Sequence, residues 1–409
     1  MELLAPAGNL EKLEAAYRYG ADAAYAGVES FSLRARADNF NLDDPHSVAR
    51  IKGGRKLYCA LNVYFHEADL ARLEERMEAL AAFPFDAFIV SDPGVIPLLR
   101  RHVPKADLHL STQANCVNSE SAKLYRDMGF SRIVLGRELS LAEIALIRAS
   151  VPDVELEAFV HGAMCLAYSG RCFLSAWMVG RSANRGGCAH SCRWRYRPQD
   201  RLYFIEEEKR RGEFYPVIEG ENFTSILSSR DIRMIDYLAE MREAGVDVLK
   251  IEGRMKSAYY TAVVTRAYRK QLDHILTGSP PADEAAAFVA ELDKVSRRES
   301  STGFYFGRQE ISMPTETEYS RDYTFLGTVG AERSPGTYEL RLKNRIEAWM
   351  HLEFLGPDLP FIEDRAFELF DEHGVATGAV NHNARGLIRP GVAVQPGYLI
   401  RVYRPDAPN

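Results

Sequence analysis

Residues 108–135 read Leu108-His-Leu-Ser-Thr-Gln-Ala-Asn-Cys-Val-Asn-Ser-Glu-Ser-Ala-Lys-Leu-Tyr-Arg-Asp-Met-Gly-Phe-Ser-Arg-Ile-Val-Leu135. A short apolar run at Leu108–Ser111 gives way to an Asn-marked loop, an amphipathic stretch at Ser119–Met128, and a second apolar run at Arg132–Leu135. That is one βα unit followed by the strand of the next. The same unit recurs through the first 160 residues, with strand-like runs at Glu2–Ala5, Ala23–Ala26, Lys56–Leu61, Ala87–Val90 and Leu156–Val160. Helical patterns fall between them, at Asn9–Tyr19, Asp69–Ala82 and Ser140–Ala149. Leu10, Leu13, Ala16 and Tyr17 have helical spacing, and Ser140-x-x-Glu143 is a capping box. The strands are apolar throughout instead of alternating, which implies parallel strands buried on both faces.

Alternating βα units give a closed barrel or an open doubly wound sheet. The loop after the first strand, Ala5-Pro6-Ala7-Gly8, is not the Gly-rich nucleotide loop of an open sheet. A further strand at Val248–Ile251, between helices at Ile232–Ala244 and Ser257–Leu276, makes eight strands. The expected fold is therefore α/β, a (β/α)8 TIM-like barrel over residues 1–278. Ser225–Ser228 also resembles a strand. With Leu202–Glu207 and Phe214–Glu219 it is assigned to an insertion at 162–230, after the seventh strand. Ser279-Pro-Pro-Ala282 opens a helical linker region over 279–319, with a helix at Asp283–Val295. Beyond it, short alternating runs at Tyr338–Leu342, Trp349–Phe354, Ala366–Phe370 and Leu399–Val402 predict a small antiparallel β domain, a barrel or sandwich, over 320–409.

Of 409 residues, 46% are hydrophobic and 26% charged, ordinary values for a globular chain. No apolar run reaches membrane-spanning length, and the N-terminus lacks a basic n-region and apolar core, so a cytoplasmic location is expected. Disulfides are then disfavoured, and clustered cysteines point to metal. A net charge of −6 argues against indiscriminate coating of nucleic acid.

The insertion departs from that average. Cys165, Cys172, Cys188 and Cys192, spaced C-x6-C-x15-C-x3-C, account for four of the six cysteines. Four thiolates suit an iron–sulfur cluster or zinc. Zinc folds favour two tight knuckles, and only Cys188/Cys192 fits one, so a cluster is favoured over zinc. Arg171, Arg181, Arg185, Arg193, Arg195 and Arg197 lie among Tyr168, Trp177, Trp194 and Tyr196, with no acidic residue between Gly162 and Arg197. Arginine beside aromatics suits phosphate contact with base stacking, and equally suits offsetting the charge of a thiolate centre. Cys59 and Cys116 read as buried core thiols.

Active sites of such barrels sit at the C-terminal ends of the strands. That rule selects Asn62, Asp92, Gln113, Arg137, Glu138, His161, Glu252, Arg254 and Lys256. His161 reads as an acid/base or a hydrogen-bonded strand-end histidine. Arg254 and Lys256 clamp an anion or pair with Glu252, and Arg34 and Arg36 are further anion-binding candidates. Neither a His-Glu-x-x-His nor a Gly-x-Ser-x-Gly pattern occurs, so the sequence offers no hydrolytic constellation.

Glu157-Ala-Phe-Val-His-Gly-Ala-Met-Cys165-x-x-Tyr168-Ser-Gly-x-Cys172 resembles the defining motif of the collagenase-like peptidase family, peptidase family U32. The resemblance runs through Leu4-Ala-Pro-Ala-Gly8, Gly20-Ala-Asp-Ala-Ala-Tyr-Ala-Gly27, Leu110-Ser-Thr-Gln-Ala-Asn115, Arg137-Glu-Leu-Ser140, Cys192-Arg-Trp194 and Leu249-Lys-Ile-Glu-Gly-Arg-Met-Lys256. It covers most of residues 1–275, and the tail at 320–405 resembles the small β domain of one subgroup. The resemblance implies a 4Fe–4S cluster on Cys165, Cys172, Cys188 and Cys192, and 5-hydroxyuridine formation at a tRNA wobble position. Prephenate, a small dicarboxylate, is the implied oxygen donor. His161, Arg137, Glu252, Arg254 and Lys256 are the candidate catalytic residues, and Arg34, Arg36, Asn62 and Gln113 the candidate ligand-binding ones. The expected partner is the tRNA anticodon region. Alternatives are hydroxylation of ribosomal RNA or a quinone precursor, a collagenase-like peptidase, and an RNA-binding scaffold with structural zinc.

Overall fold

The computed structural model describes residues 1–28, 31–32, 39–40, 42–165, 167–172, 174–179, 181–185, 187–189, 191–193, 230–295, 297–307, 322–382 and 384–404, and the backbone of four short strands between 204 and 225. Eight parallel strands close into a barrel: β1 (Glu2–Pro6), β2 (Ala23–Gly27), β3 (Lys56–Leu61), β4 (Ala87–Val90), β5 (Asp107–Leu110), β6 (Arg132–Val134), β7 (Glu155–Gly162) and β8 (Val248–Ile251). Closure falls on β8, where Val248 is in register with Glu2 of β1 and Glu157 of β7. The strand backbone is buried almost end to end, as continuous apolar runs require.

Three aspartates at the N-terminal ends of strands brace the barrel. The carboxylates of Asp22, Asp86 and Asp247 accept hydrogen bonds from the backbone N–H of Leu3 (2.8 Å), Leu57 (2.7 Å) and Leu156 (2.8 Å). Each satisfies a donor of the strand alongside. The helix after β6, Leu141–Ser150, starts at the expected capping box: the Ser140 and Glu143 side chains each bond the other residue's backbone N–H.

The barrel interior is not purely aliphatic. Lys250 of β8 donates to Glu157 of β7 at 2.5 Å, and Glu157 lies 3.4 Å from Arg132 of β6. Arg132 continues to Glu2 at 2.7 Å and Glu155 at 2.8 Å. Glu157 is wholly buried, and Lys250 and Arg132 nearly so. Such charges are tolerated in a core only as a mutually paired set.

The segment at 232–244, expected to be one helix, is instead a strand at Asp231–Arg233, a 3-10 turn at Ile235–Tyr237 and a short helix at Leu238–Glu243. Ile232 and Arg233 pair antiparallel with Gly162 and His161 at the end of β7, and this long-range pairing overrides the local helical pattern. Of the insertion strands, Phe204–Glu206 pairs with Phe214–Pro216 and Ile218–Gly220 with Phe223–Ser225. Residues 226–229 lie outside the described residues.

The chain forms two compact units: Met1–Tyr17, Ala21–Lys256 and Arg298–Glu318 in the first, Arg18–Gly20, Ser257–Arg297 and Tyr319–Asn409 in the second. The second unit contains the long helix Ala258–Thr277 and a seven-stranded antiparallel sheet. Its sheet packs over Leu326, Val329, Ile346, Leu352, Phe354, Leu369, Ile388 and Ile400. Arg401, fully buried, is held by Glu291 at 2.6 Å, Glu353 at 2.5 Å and the Tyr259 hydroxyl at 3.0 Å. Among the described residues no helix is long and apolar enough to cross a membrane.

Candidate active site at the barrel mouth

A cavity of about 180 Å³ opens at the C-terminal ends of the strands, with room for on the order of ten water molecules. All four cysteines of the insertion line it, together with Asn62, Gln113, Arg137, Glu138, Glu252 and Arg254. The barrel rule and the cysteine cluster thus meet in one space.

The β5–β6 side is the more closely braced. The Arg137 guanidinium lies 3.8 Å from the Phe159 ring centroid, and its Nη1 donates to the Ala163 carbonyl at 3.1 Å and reaches the Cys165 sulfur at 3.7 Å. Glu138 Oε1 accepts the backbone N–H of Ser169 at 2.6 Å, and the Ser169 hydroxyl accepts from the Arg137 N–H and the Thr112 hydroxyl, both at 3.4 Å. Gly170 follows in the left-handed region, at φ +74°; a Cβ there would lie 2.0 Å from the Gln113 carbonyl oxygen. Tyr64 ties the two loops, its hydroxyl donating to the Gly170 carbonyl at 2.7 Å and lying 3.2 Å from the Gln113 carbonyl.

On the β8 side Lys250 lines the cavity, its ammonium 4.2 Å from the Tyr25 ring centroid. Burial pushes its pKa below the usual lysine range, against the pull of the Glu157 carboxylate. Arg254 is buried and donates to the Ser32 hydroxyl at 3.0 Å. Sequence reading passed over Lys250. Its signal was a charge inside the apolar run Val248–Ile251, matched by Glu157 inside Leu156–Val160.

Other expected residues are placed elsewhere. His161 is buried but does not line the cavity; burial, then Arg233 and Lys256, push its pKa down to about 3, so the imidazole is neutral at neutral pH. Lys256 does not line it either. Asp92 caps a turn, accepting from the backbone of Phe65 at 3.0 Å and Gly94 at 2.9 Å. Arg34, Arg36, Trp194, Arg195, Tyr196 and Arg197 lie outside the described residues, as do the side chains of Trp177, Arg185 and Arg193. Cys59 and Cys116 are fully buried, and burial pushes both thiols up, Cys116 to about 11.

The four cavity cysteines are of another kind. Cys165 is exposed and the other three half-buried, and none is in a disulfide. Backbone bonds hold their loops: Asn184 donates to the Cys172 carbonyl and Arg181 to the Cys188 carbonyl, both at 3.3 Å. Four thiols on one cavity match the donor set of a cluster or of zinc. Among the described residues no three His, Cys, Asp or Glu side chains are gathered closely enough to hold a metal ion.

Fold and site define a (β/α)8-barrel protein with a cysteine-lined mouth and an appended antiparallel sheet domain. The profile of Peptidase family U32 matches residues 8–314, and that of the Peptidase family U32 C-terminal domain matches residues 321–401. The chain belongs to this family. It is 36% identical to the Escherichia coli tRNA hydroxylation protein P over 399 residues, covering 87% of this chain and 86% of the relative. It is 37% identical to the Bacillus subtilis tRNA hydroxylation protein P1 over 387 residues, covering 93% and 89%. A 23S rRNA 5-hydroxycytidine synthase of Escherichia coli is 34% identical over 316 residues, covering 76% of this chain and 46% of the relative.

Proposed function

We propose that the chain is an RNA-modifying enzyme that hydroxylates C5 of a tRNA wobble uridine, with an iron–sulfur cluster on Cys165, Cys172, Cys188 and Cys192 and prephenate as oxygen donor. One observation carries the reading: the four thiols line the same cavity as Arg137, Glu138, Lys250 and Arg254. The thiols that would hold the metal and the groups that would hold substrate thus share one space. The names of the relatives, two of tRNA hydroxylation and one of rRNA hydroxycytidine synthesis, support RNA as the substrate class.

A bound 4Fe–4S cluster would supply one-electron chemistry. The protein's own groups do the positioning. Lys250 and Arg254 are cations suited to the carboxylates of a small dicarboxylate. The Tyr25 and Phe159 rings limit water around the lysine, which strengthens those contacts. His161, held neutral, is a poor proton donor at neutral pH, which leaves general acid work to other groups.

The test is nucleoside mass spectrometry of tRNA from a deletion strain against its parent. Loss of 5-hydroxyuridine is expected, restored by the wild-type gene and not by Cys188→Ala, whose purified protein should also lack the cluster's visible absorbance. A fully active, iron-free variant would sink the cluster. Zinc in place of iron would favour a structural site. An unchanged tRNA profile would shift the target to ribosomal RNA, then to quinone precursors. The family's name favours one second reading, peptide hydrolysis, and gelatin degradation that survives loss of all four cysteines would establish it.

A further inference from the structure

Three side chains lining the cavity each carry one buried polar atom without a hydrogen-bond partner among the described residues: Gln113 Oε1, Arg137 Nε and Glu138 Oε2. Buried groups are rarely left so, because the lost bonds to water are not replaced. Two of the three side chains are held in place. Arg137 is stacked on Phe159 and bonded to the Ala163 carbonyl, and Glu138 is bonded through its other oxygen to the Ser169 N–H. The Gln113 backbone is clamped by Tyr64. A Cβ at Gly136 would lie 2.6 Å from Val117 Cγ1 and 2.8 Å from Glu138 Oε2, so glycine leaves the Glu138 carboxylate its room. Together the three residues bring two acceptors and one donor to the cavity wall.

We propose that this array reads the edge of a pyrimidine base turned out of its RNA stack, while the β8 side, with Lys250 and Arg254, receives the small co-substrate. The inference deepens the RNA-hydroxylase reading and rests on it. A carboxylate cannot satisfy Gln113 Oε1 or Glu138 Oε2, because it has no proton to donate and shares Glu138's charge. A uracil supplies what is missing: its one ring N–H, at N3, shared between the two acceptors, and a ring carbonyl for Arg137 Nε. The three residues are recessed at the barrel mouth, out of reach of a base still within a stack, so the base must leave its stack. Tyr168, 57% exposed and part of the lining, offers a face on which a neighbouring base can stack.

The test measures binding without turnover. Fluorescence anisotropy compares a tRNA anticodon stem–loop carrying uridine at the wobble position with the same loop made abasic there, on the protein with its native metal content and no co-substrate. Wild type should bind the uridine loop about tenfold more tightly. In Gln113→Leu, and in Glu138→Gln, which replaces the Oε2 acceptor by a donor at constant shape, that ratio should fall toward one. Abasic binding should hold at the wild-type level, which reports that the variants are folded. A ratio of one in wild type overturns the proposal, as does a ratio that survives in both variants. So does a loss of prephenate binding, measured by calorimetry, with base discrimination intact, because the array would then serve the co-substrate. Failure of the parent reading is separate: it shows as 5-hydroxyuridine persisting in the deletion strain.

Discussion

The residue that most alters how the site reads is Lys250, one end of a charged column inside the barrel. Its partner Glu157 has no exposed surface, so removing the lysine leaves a carboxylate with only part of its compensation. Lys250→Met is expected to cost about 3 kcal/mol in urea unfolding, and adding Glu157→Leu should recover most of it. A double variant no more stable than the single would show that the pair is not a self-contained unit. His161 makes a pH prediction. Its folded pKa of about 3 lies below the unfolded value of 6.5, so the unfolded chain binds the extra proton between those values. Stability from keeping this imidazole neutral is complete above pH 6.5 and is lost as pH falls toward 3. His161→Asn should therefore flatten the acid limb of a stability–pH curve; an unchanged slope would mean that other groups, such as buried His109, set it.

At the scale of elements, most helices announce themselves locally and one segment does not. The Leu141–Ser150 helix was legible from Ser140 and Glu143, because a capping box is a contact between residues three apart. Ser140→Ala should lower stability by about 1 kcal/mol, checked by thermal or urea unfolding, with the cavity unaffected. Ile232 and Arg233 opened the expected helix at 232–244 yet form a strand, since the end of β7 offers backbone partners that no local pattern encodes. The long cysteine-bearing connection after β7 is held by a cross-bond of its own, the Ser175 hydroxyl accepting from the Ala189 N–H at 2.8 Å, and by one to the loop after β3, the Asn184 carbonyl accepting from the Tyr64 N–H at 3.0 Å. These contacts bring Cys172 and Cys188, sixteen positions apart, to the same cavity.

For the whole molecule, a chain of net charge −6 gains RNA affinity only from a local concentration of cations. In the proposed RNA-hydroxylase reading, the arginine-rich segment between Gly162 and Arg197 would be that concentration. Binding of the anticodon stem–loop should weaken steeply with salt, and Arg193→Ala should lower both the affinity and the salt slope, by about one unit for one lost phosphate contact. Unchanged affinity and slope would assign Arg193 to the thiolate centre instead.

The sequence by itself determined the strands, their parallel sense and their number, and which end of the barrel to propose as the site. Each follows from short-range signals: continuous apolar runs such as Ala87–Val90, helical spacing between them, and the strand-end rule. It also determined which cysteines differ from the rest, since Cys165, Cys172, Cys188 and Cys192 stand in one polar, arginine-rich segment while Cys59 stands in an apolar strand. Only the tertiary structure decided which strand-end residues share the cavity. His161, Asp92 and Lys256 obey the same rule as Gln113 and Arg137, yet His161 is covered by the 231–233 strand and Asp92 is spent on a turn. Lys250 and Glu157 could not be joined from sequence, because 93 positions separate them and closure of the barrel alone sets them side by side. Burial, pairing and register are properties of the closed barrel, and those three select its working residues.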